Sequence, residues 1–271
     1  MKNTLISLFI VLRSVGAAAA EELAIPGSGN NEYLVARLAD GFNAAQDRHH
    51  VSVPSSTGTA GAIRALEEGT ASLVRVGRPL KEAERSKGYV YVSLGRDAIE
   101  FVGGADVSVP GISSSQVMDI YNGKITDWRE LGGRPGPIRA IGREVTDASR
   151  TVIGLRIKGF GDMRFADVVK LVHLDPQAIA LLDRFPTSFG FLNRSALRST
   201  KTRIVALELD SVAPTANNLA SGRYPLWLEL GLAHKKGELT EAGKAFLAFV
   251  SATGGVTILR ELGIVMPAIR Q

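Results

Sequence analysis

Hydrophobic positions along the chain switch between a two-residue and a three-to-four-residue spacing, and clusters of Gly, Ser, Thr, Asn or Pro mark the switches. Leu23 to Pro26 reads as a short apolar strand and Gly27-Ser28-Gly29-Asn30-Asn31 as a turn. From Glu32 to Ala45 the residues Leu34, Leu38 and Phe42 recur at every fourth position, which predicts an amphipathic helix. The unit then repeats. His50 to Pro54 alternates as a strand, Ser55 to Gly61 is a loop, Ala62 to Glu68 is a helix stopped by Gly69, and Leu73 to Val76 is a strand. Further strands are predicted at Tyr89 to Leu94, Ala98 to Val102, Ile138 to Gly142, Phe189 to Leu192, Arg203 to Leu207 and Leu226 to Ala233. Further helices are predicted at Ser115 to Tyr121, Thr151 to Phe160, Pro176 to Leu182, Thr240 to Ser251 and Gly254 to Leu262. Strands and helices in alternation predict an α/β fold, with no internal repeat and no low-complexity linker.

Composition narrows the function classes. With 271 residues, 45% of them hydrophobic, the chain buries a large core, and 22% charged residues spread along it exclude a multi-span membrane protein. Zero cysteines exclude disulfides, thiolate metal sites, Cys nucleophiles and iron–sulfur clusters together. His49, His50, His173 and His234 lack the close spacing of a metal-ligand motif, so neither a metal nor another cofactor is expected. The first twenty residues read as an export signal: Lys2, an apolar stretch from Leu5 to Leu12, and small residues from Ala17 to Ala20 before Glu21, with Arg13 as the one departure. Cleavage after Ala20 would remove 20 of the 271 residues to leave 251, and loss of Lys2 and Arg13 would lower the net charge from +5 to +3. That mild excess lacks the clustered basic stripe of a nucleic-acid binder. With no cysteine for a lipid anchor at the cleavage site, a soluble periplasmic or secreted product is expected.

Three strand–loop–helix junctions share a chemistry. Gly27-Ser28-Gly29-Asn30, Thr57-Gly58-Thr59 and Thr146-Asp147-Ala148-Ser149 are rich in Gly and small polar residues, and each opens onto a helix. Backbone N–H groups and the positive helix end would face a bound anion there, although each loop alone is also what ordinary helix capping produces. The G-x-G at Gly27 lacks the third glycine of a dinucleotide fingerprint, since Glu32 stands in its place. No G-x-S-x-G, assignable S-x-x-K or His/carboxylate cluster marks an enzyme.

Ile120-Tyr121-Asn122-Gly123-Lys124-Ile125-Thr126-Asp127-Trp128 followed by Leu131-Gly132-Gly133 resembles the I-F/Y-x-G-x-I-x-x-W…G segment of the substrate-binding proteins of bacterial ABC phosphate importers. In the same order, Gly69 to Leu73 through Arg78-Pro79-Leu80 and Glu84 resembles the family's E-G-x-x-D-I…S-R-P-L-x-x-x-E. Ser188 to Leu192 is similar to its x-I-G-Y stretch, and Pro214 to Leu219 with Gly222, Tyr224, Pro225 and Leu226 to its P-T-x-x-N-I…G-x-Y-P-L. A C-terminal match runs from Phe246 to Val250 and on to Gly255 and Gly263, so the resemblance spans about Leu23 to Pro267.

The resemblance implies two α/β lobes joined by crossing strands, with one tetrahedral oxyanion held between them. It assigns 21–103 with 206–271 to one lobe and 104–205 to the other. The implied ligands are Ser28, Gly29 and Asn30 from the first loop, Thr57, Gly58 and Thr59 from the second, Arg78, and Arg143 with Asp147, Ala148 and Ser149 from the third. The implied partners are phosphate or a similar anion and the membrane permease of an ABC importer, the protein itself being a monomer. A sensor, adhesin or binder of another ligand on the same scaffold is the alternative.

The third loop departs from the family. Its R-E-x-G-S-G-T-R aligns on Arg143 to Arg150, but Asp147-Ala148-Ser149 replaces Ser-Gly-Thr. An ionised Asp147 about 4 Å from an anion would cost about 4 kcal/mol at an effective dielectric of 20, more than one charge-assisted hydrogen bond of about 1.5–3 kcal/mol returns. Some members carry a proton-accepting aspartate just before the position of Arg78; here it is Gly77. Asp147 reads either as that acceptor moved to the other lobe or as a plain helix cap. Arg143 and Arg78 read as ligands or as ion-pair partners, and Arg75, set in an apolar strand, as cleft-lining or solvent-facing. Trp128 and Tyr121 read as packing residues.

Overall fold

The computed structural model describes residues 20–266; residues 1–19 and 267–271, and with them the expected export signal, lie outside it. In chain order the elements are β1 (Glu22–Ala24), α1 (Glu32–Ala45), β2 (His50–Ser52), α2 (Gly58–Glu67), β3 (Val74–Val76), α3 (Glu82–Arg85), β4 (Tyr89–Gly103), β5 (Gly111–Ile112), α4 (Ser114–Tyr121), β6 (Arg139–Arg143) and α5 (Ala148–Arg156). There follow β7 (Lys170–Val172), α6 (Asp175–Arg184), β8 (Ser188–Asn193), α7 (Arg194–Arg198), β9 (Val205–Ala206), β10 (Glu208–Leu209), α8 (Ala216–Ala220), β11 (Trp227–Lys235), α9 (Glu241–Ser251) and α10 (Thr253–Glu261). The alternation is that of a two-lobed α/β protein.

Strand β4 joins the two halves. Over Tyr89 to Ala98 it pairs with β11, which in turn pairs with β3; from Ile99 to Gly103 it pairs with β8, followed by β6 and β7. One sheet of order β3-β11-β4-β8-β6-β7 therefore runs through both lobes. The sequence predicts two strands here because Gly95-Arg96-Asp97 interrupts the apolar pattern, but the chain continues as one strand of 15 residues. Gly95 absorbs a register shift opposite Leu230 and Gly231 with φ +119, and a Cβ there would lie 2.7 Å from the Val265 carbonyl oxygen. Only glycine fits both conditions.

Helix α1 has the expected bounds, and its apolar stripe buries Leu34, Leu38 and Phe42, the last edge-on to Phe246 and Phe249 of α9. Helices α2 and α5 begin earlier than the pattern predicts, at Gly58 rather than Ala62 and at Ala148 rather than Thr151, so the Gly-, Thr- and Ser-rich loops form their first turns. The short elements β7, α3, α7 and α8 carry no periodic signal. In the other lobe Tyr121 and Trp128 pack with Phe165 and Phe189, and each polar tip reaches a carbonyl: Tyr121 Oη to Ile141 at 2.9 Å and Trp128 Nε1 to Thr187 at 2.8 Å. The packing role expected for both holds. Residues after β9 turn back onto this lobe, where β10 pairs with β5 and the Asp210 carboxylate accepts from the Ser114 amide at 2.7 Å. Among the described residues no single helix is long and apolar enough to cross a membrane.

Arg75 neither lines the cleft nor faces water. It is fully buried in β3 and donates from Nε to the Ser28 carbonyl at 2.9 Å, from NH2 to the Pro54 carbonyl at 2.7 Å and Glu32 at 3.0 Å, and from NH1 to the Ile25 carbonyl. One guanidinium thus fastens the turns after β1 and β2 to the start of α1. Burial lowers its pKa, and the Glu32 carboxylate opposes that shift. Arg75→Met would leave these acceptors without a donor, and a loss of about 3–5 kcal/mol is expected in urea unfolding; a loss below 1 kcal/mol would show that the clamp does not hold the loops.

Candidate functional site

A cleft of about 640 Å³ opens where residues at the N-termini of α1, α2, α5 and α6 come together. Its walls include Ser28, Gly29 and Asn30 before α1, Ser56, Gly58 and Thr59 at α2, Gly77 and Arg78 after β3, Arg143, Asp147 and Ala148 around α5, and His173 and Leu174 before α6. The first N–H groups of a helix have no partner within it, so each end presents donors and the positive pole of the helix dipole. All the residues expected at the site line this cleft except Thr57 and Ser149.

Those two exceptions have physical reasons. The Thr57 side chain leans back over the first turn of α2, so that a Cβ on Gly61 would lie 2.8 Å from Thr57 Cβ. Ser56 lines the cleft in its place, its hydroxyl accepting from the Gly58 amide at 3.2 Å. Ser149 is buried, and its hydroxyl accepts from Asn30 Nδ2 and donates to Asn193 Oδ1, both at 3.0 Å. Its donor is already used, and it joins the two walls instead of facing the space between them.

On the first wall the Ser28 hydroxyl accepts from the Asn30 amide at 3.3 Å and donates to Asn30 Oδ1 at 3.4 Å. Thr59 Oγ1 accepts from the Gly77 amide at 3.1 Å, which leaves its own proton to donate. A Cβ on Gly77 would lie 2.6 Å from Ser28 Oγ, so this position has no room for an aspartate while Ser28 stays in place.

The cations at the cleft are engaged by carboxylates. Arg78 forks onto Glu84 at 2.8 and 2.7 Å, which makes it an ion-pair partner even though it borders the cleft. Arg143 is buried at the end of β6, with Asp175 at 2.6 Å, Asp147 at 3.1 Å and the His173 carbonyl at 2.9 Å. Burial works against its charge, but Asp175 and Asp147 outweigh burial and hold its pKa above the usual value. Burial raises the pKa of Asp175, and Arg143 offsets this in part. Asp147 does two things at once: Oδ1 caps α5 by accepting from the Arg150 amide at 2.9 Å, while Oδ2 meets Arg143. Glu144 adds a further carboxylate at the mouth, 3.0 Å from His173 Nδ1. Two guanidiniums thus stand beside four carboxylates. The attraction available to an anion comes chiefly from helix ends and hydroxyls, and a ligand that brings its own proton turns a carboxylate contact from repulsive to bonding.

Sequence reasoning missed Ser56, Glu144, His173, Leu174 and, behind Arg143, Asp175. Asp175-Pro176 does carry a signal, an acidic residue and a proline in the first helical turn, and α6 begins there.

A two-lobed α/β fold with a polar, helix-ringed cleft between its halves is that of a solute-binding protein. The chain belongs to the family described as the PBP superfamily domain, whose model matches residues 14–253. Phosphate-binding protein PstS of Bacillus subtilis (strain 168) is 28% identical over 246 residues, covering 86% of this chain and 76% of the relative. Phosphate-binding protein PstS of Borreliella burgdorferi is 21% identical over 192 residues, covering 69% of each. Among solved structures, a candidate phosphate ABC transporter substrate-binding protein of Clostridium perfringens with bound phosphate superposes with a TM-score of 0.76 at 22% identity, covering 91% of this chain and all of that one. An ABC-type phosphate transport receptor of Vibrio cholerae gives 0.64 at 23% identity with the same coverage.

Removing one carboxylate from a buried guanidinium is costly, whereas an exposed pair contributes little. Asp175→Ala is therefore expected to lower stability by about 3–5 kcal/mol in urea unfolding, and Glu144→Ala to change it by no more than about 0.5 kcal/mol. Equal effects would contradict the assignment of Asp175 as the principal partner of Arg143.

Proposed function

We propose that this protein is an exported solute-binding protein that captures inorganic phosphate between its lobes and delivers it to the membrane permease of an ABC importer. The observation that carries the reading is the convergence of helix N-termini, the free Thr59 hydroxyl and Arg143 on one cleft, with Ser28 and Asn30 beside them. The relatives named as phosphate-binding proteins supply the ligand class and favour uptake over the sensor or adhesin alternative. They are binding proteins, which supports capture without turnover. Export rests on the charge and small-residue pattern of residues 1–20.

The binding residues we propose are Ser28, Gly29, Asn30, Gly58, Thr59, Arg143, Asp147 and Ala148, with Ser56 added and Arg78 at the margin. Asp147 is the proton acceptor for a protonated phosphate. Each of its oxygens has a lone pair beyond those used for the cap and for Arg143, and it lines the cleft. The lobes exchange the chain near Asp97 to Ile99 on β4 and near Leu226, a reading supported by the change of partner along β4 and by the pairing of β10 with β5. On this reading the return crossing lies later than the boundary at 206. An anion that touches both walls stabilises the closed form, the form a permease would recognise.

Equilibrium dialysis of the anion-stripped protein against labelled phosphate tests the reading: saturable binding that sulfate does not displace supports it, and absence of binding overturns it. Asp147→Asn keeps a competent helix cap, and its phosphate affinity is expected to fall about tenfold, one charge-assisted bond. An unchanged or tighter affinity would remove Asp147 from the acceptor role. Thr59→Val should weaken phosphate binding by about the same factor while Thr57→Ala leaves it within about twofold; the reverse order in calorimetry would contradict the placement of these side chains.

A further inference from the structure

A line of hydrogen bonds leaves the cleft and ends at a buried carboxylate in the crossing strand. Asn30 Nδ2 on one wall donates to Ser149 Oγ on the other at 3.0 Å, and Ser149 Oγ donates to Asn193 Oδ1 at 3.0 Å. Asn193 Nδ2 then donates to Asp97 Oδ2 at 3.5 Å, and Asp97 also accepts from the Ser195 amide at 3.2 Å and from the Ser195 hydroxyl. Asp97 and Ser195 are wholly buried, and Asn193 nearly so. The chain has one direction. Because Asn193 Oδ1 receives the Ser149 proton, only its NH2 group is left to face Asp97, and an NH2 group requires an acceptor there.

We propose that Asp97 and Asn193, neither of which lines the cleft, are positioning residues that tie Ser149 and Asn30 to the crossing strand, so that hydrogen bonds of the protein's own hold the two walls together while Asp97 is ionised. A proton on Asp97 removes the charge that strengthens its bond from the Asn193 NH2 group and leaves Asp97 a weaker acceptor there, which loosens the line at its foot. Asn193, Ser149 and Asn30 then lose their fixed order, and the two walls lose a direct link.

The surroundings of Asp97 bring this switch near neutrality. Burial pushes its carboxyl up to about 7 against the pull of the Ser195 bonds. The charged groups that act on it are Glu100 on the same strand and Arg194 on α7, which face each other at 2.6 Å, so their effects at Asp97 oppose. Across the sheet β11 presents Leu228, which carries no charge. Above about 7 Asp97 is ionised and the link is made; below it the proton is bound and the link opens. This inference rests on the two-lobed fold and does not depend on phosphate as the ligand.

Because the chain has no cysteine, Asp40→Cys on α1 and Lys158→Cys after α5, both exposed, can be spin-labelled without side reaction. Pulsed electron paramagnetic resonance on the anion-stripped full chain at pH 6 and pH 8.5 reads the distance between the lobes with no phosphate present, so the ligand's own titration does not intrude. The expected result is a distribution longer by more than about 2 Å at pH 6 in the otherwise unaltered chain. Asp97→Asn, which mimics the protonated acid, should give the longer distance at both pH values, and so should Ser149→Ala, which removes the link without touching a titrating group. Coincident distributions at the two pH values, or a shift that survives in Asp97→Asn or Ser149→Ala, would overturn the proposal. If Asp97→Asn does not fold, Ser149→Ala decides alone.

Discussion

A buried guanidinium is costly unless acceptors meet most of its N–H groups, and this requirement shapes both walls of the cleft, although Arg143 Nε is left without a partner. On one wall Arg75 draws in the carbonyls of Ile25, Ser28 and Pro54 together with Glu32, and so fixes the turns that lead into α1 and α2. On the other, Arg143 draws in Asp147, Asp175 and the His173 carbonyl, and so fixes the starts of α5 and α6. Each arginine sets the position of two helix ends. The crossing strand β4, with its bulge at Gly95, then brings these ends to face one another.

The same constraint governs what the cleft can hold. A cation that is already satisfied adds little attraction for a further anion, so selectivity moves to the dipoles, to the hydroxyls and to the carboxylates near the ligand. Ser149 follows this logic in a different way: its hydroxyl is committed to Asn30 and Asn193, and it contributes to closure rather than to contact with the ligand. Binding and closure thereby use separate hydrogen bonds. In such an arrangement an anion adds to a closed form the protein already favours, and its apparent affinity is reduced less by the need to close.

Much of this was legible in the sequence where a strong period or a local motif existed. The four-residue spacing of Leu34, Leu38 and Phe42 marks α1, and the small-residue loops mark the ends that face the cleft. What escaped was long-range or directional. The acceptors of Arg75 lie up to 50 residues away in the chain, so nothing local announces them. Whether a hydroxyl in a loop faces the ligand or turns back depends on the first helical turn, which is why Thr57 and Ser149 read like Thr59. Helices α2 and α5 begin inside those loops because N-terminal turns tolerate Gly and Ser, whereas their interior propensity argues against a helix. Asp97 falls between the two strands that the pattern predicts, because a buried acid in mid-strand breaks the apolar run that identifies strands.

A crystal structure of the protein grown with phosphate bears most directly on the assignment of the cleft. One phosphate is expected in this cleft, within hydrogen-bond distance of the helix ends at Asn30, Thr59 and Ala148, with one of its oxygens on Asp147 and with Ser149 still joined to Asn30 and Asn193. Phosphate bound elsewhere, or in the cleft but on Ser149 and Thr57 and remote from Asp147, would contradict that assignment.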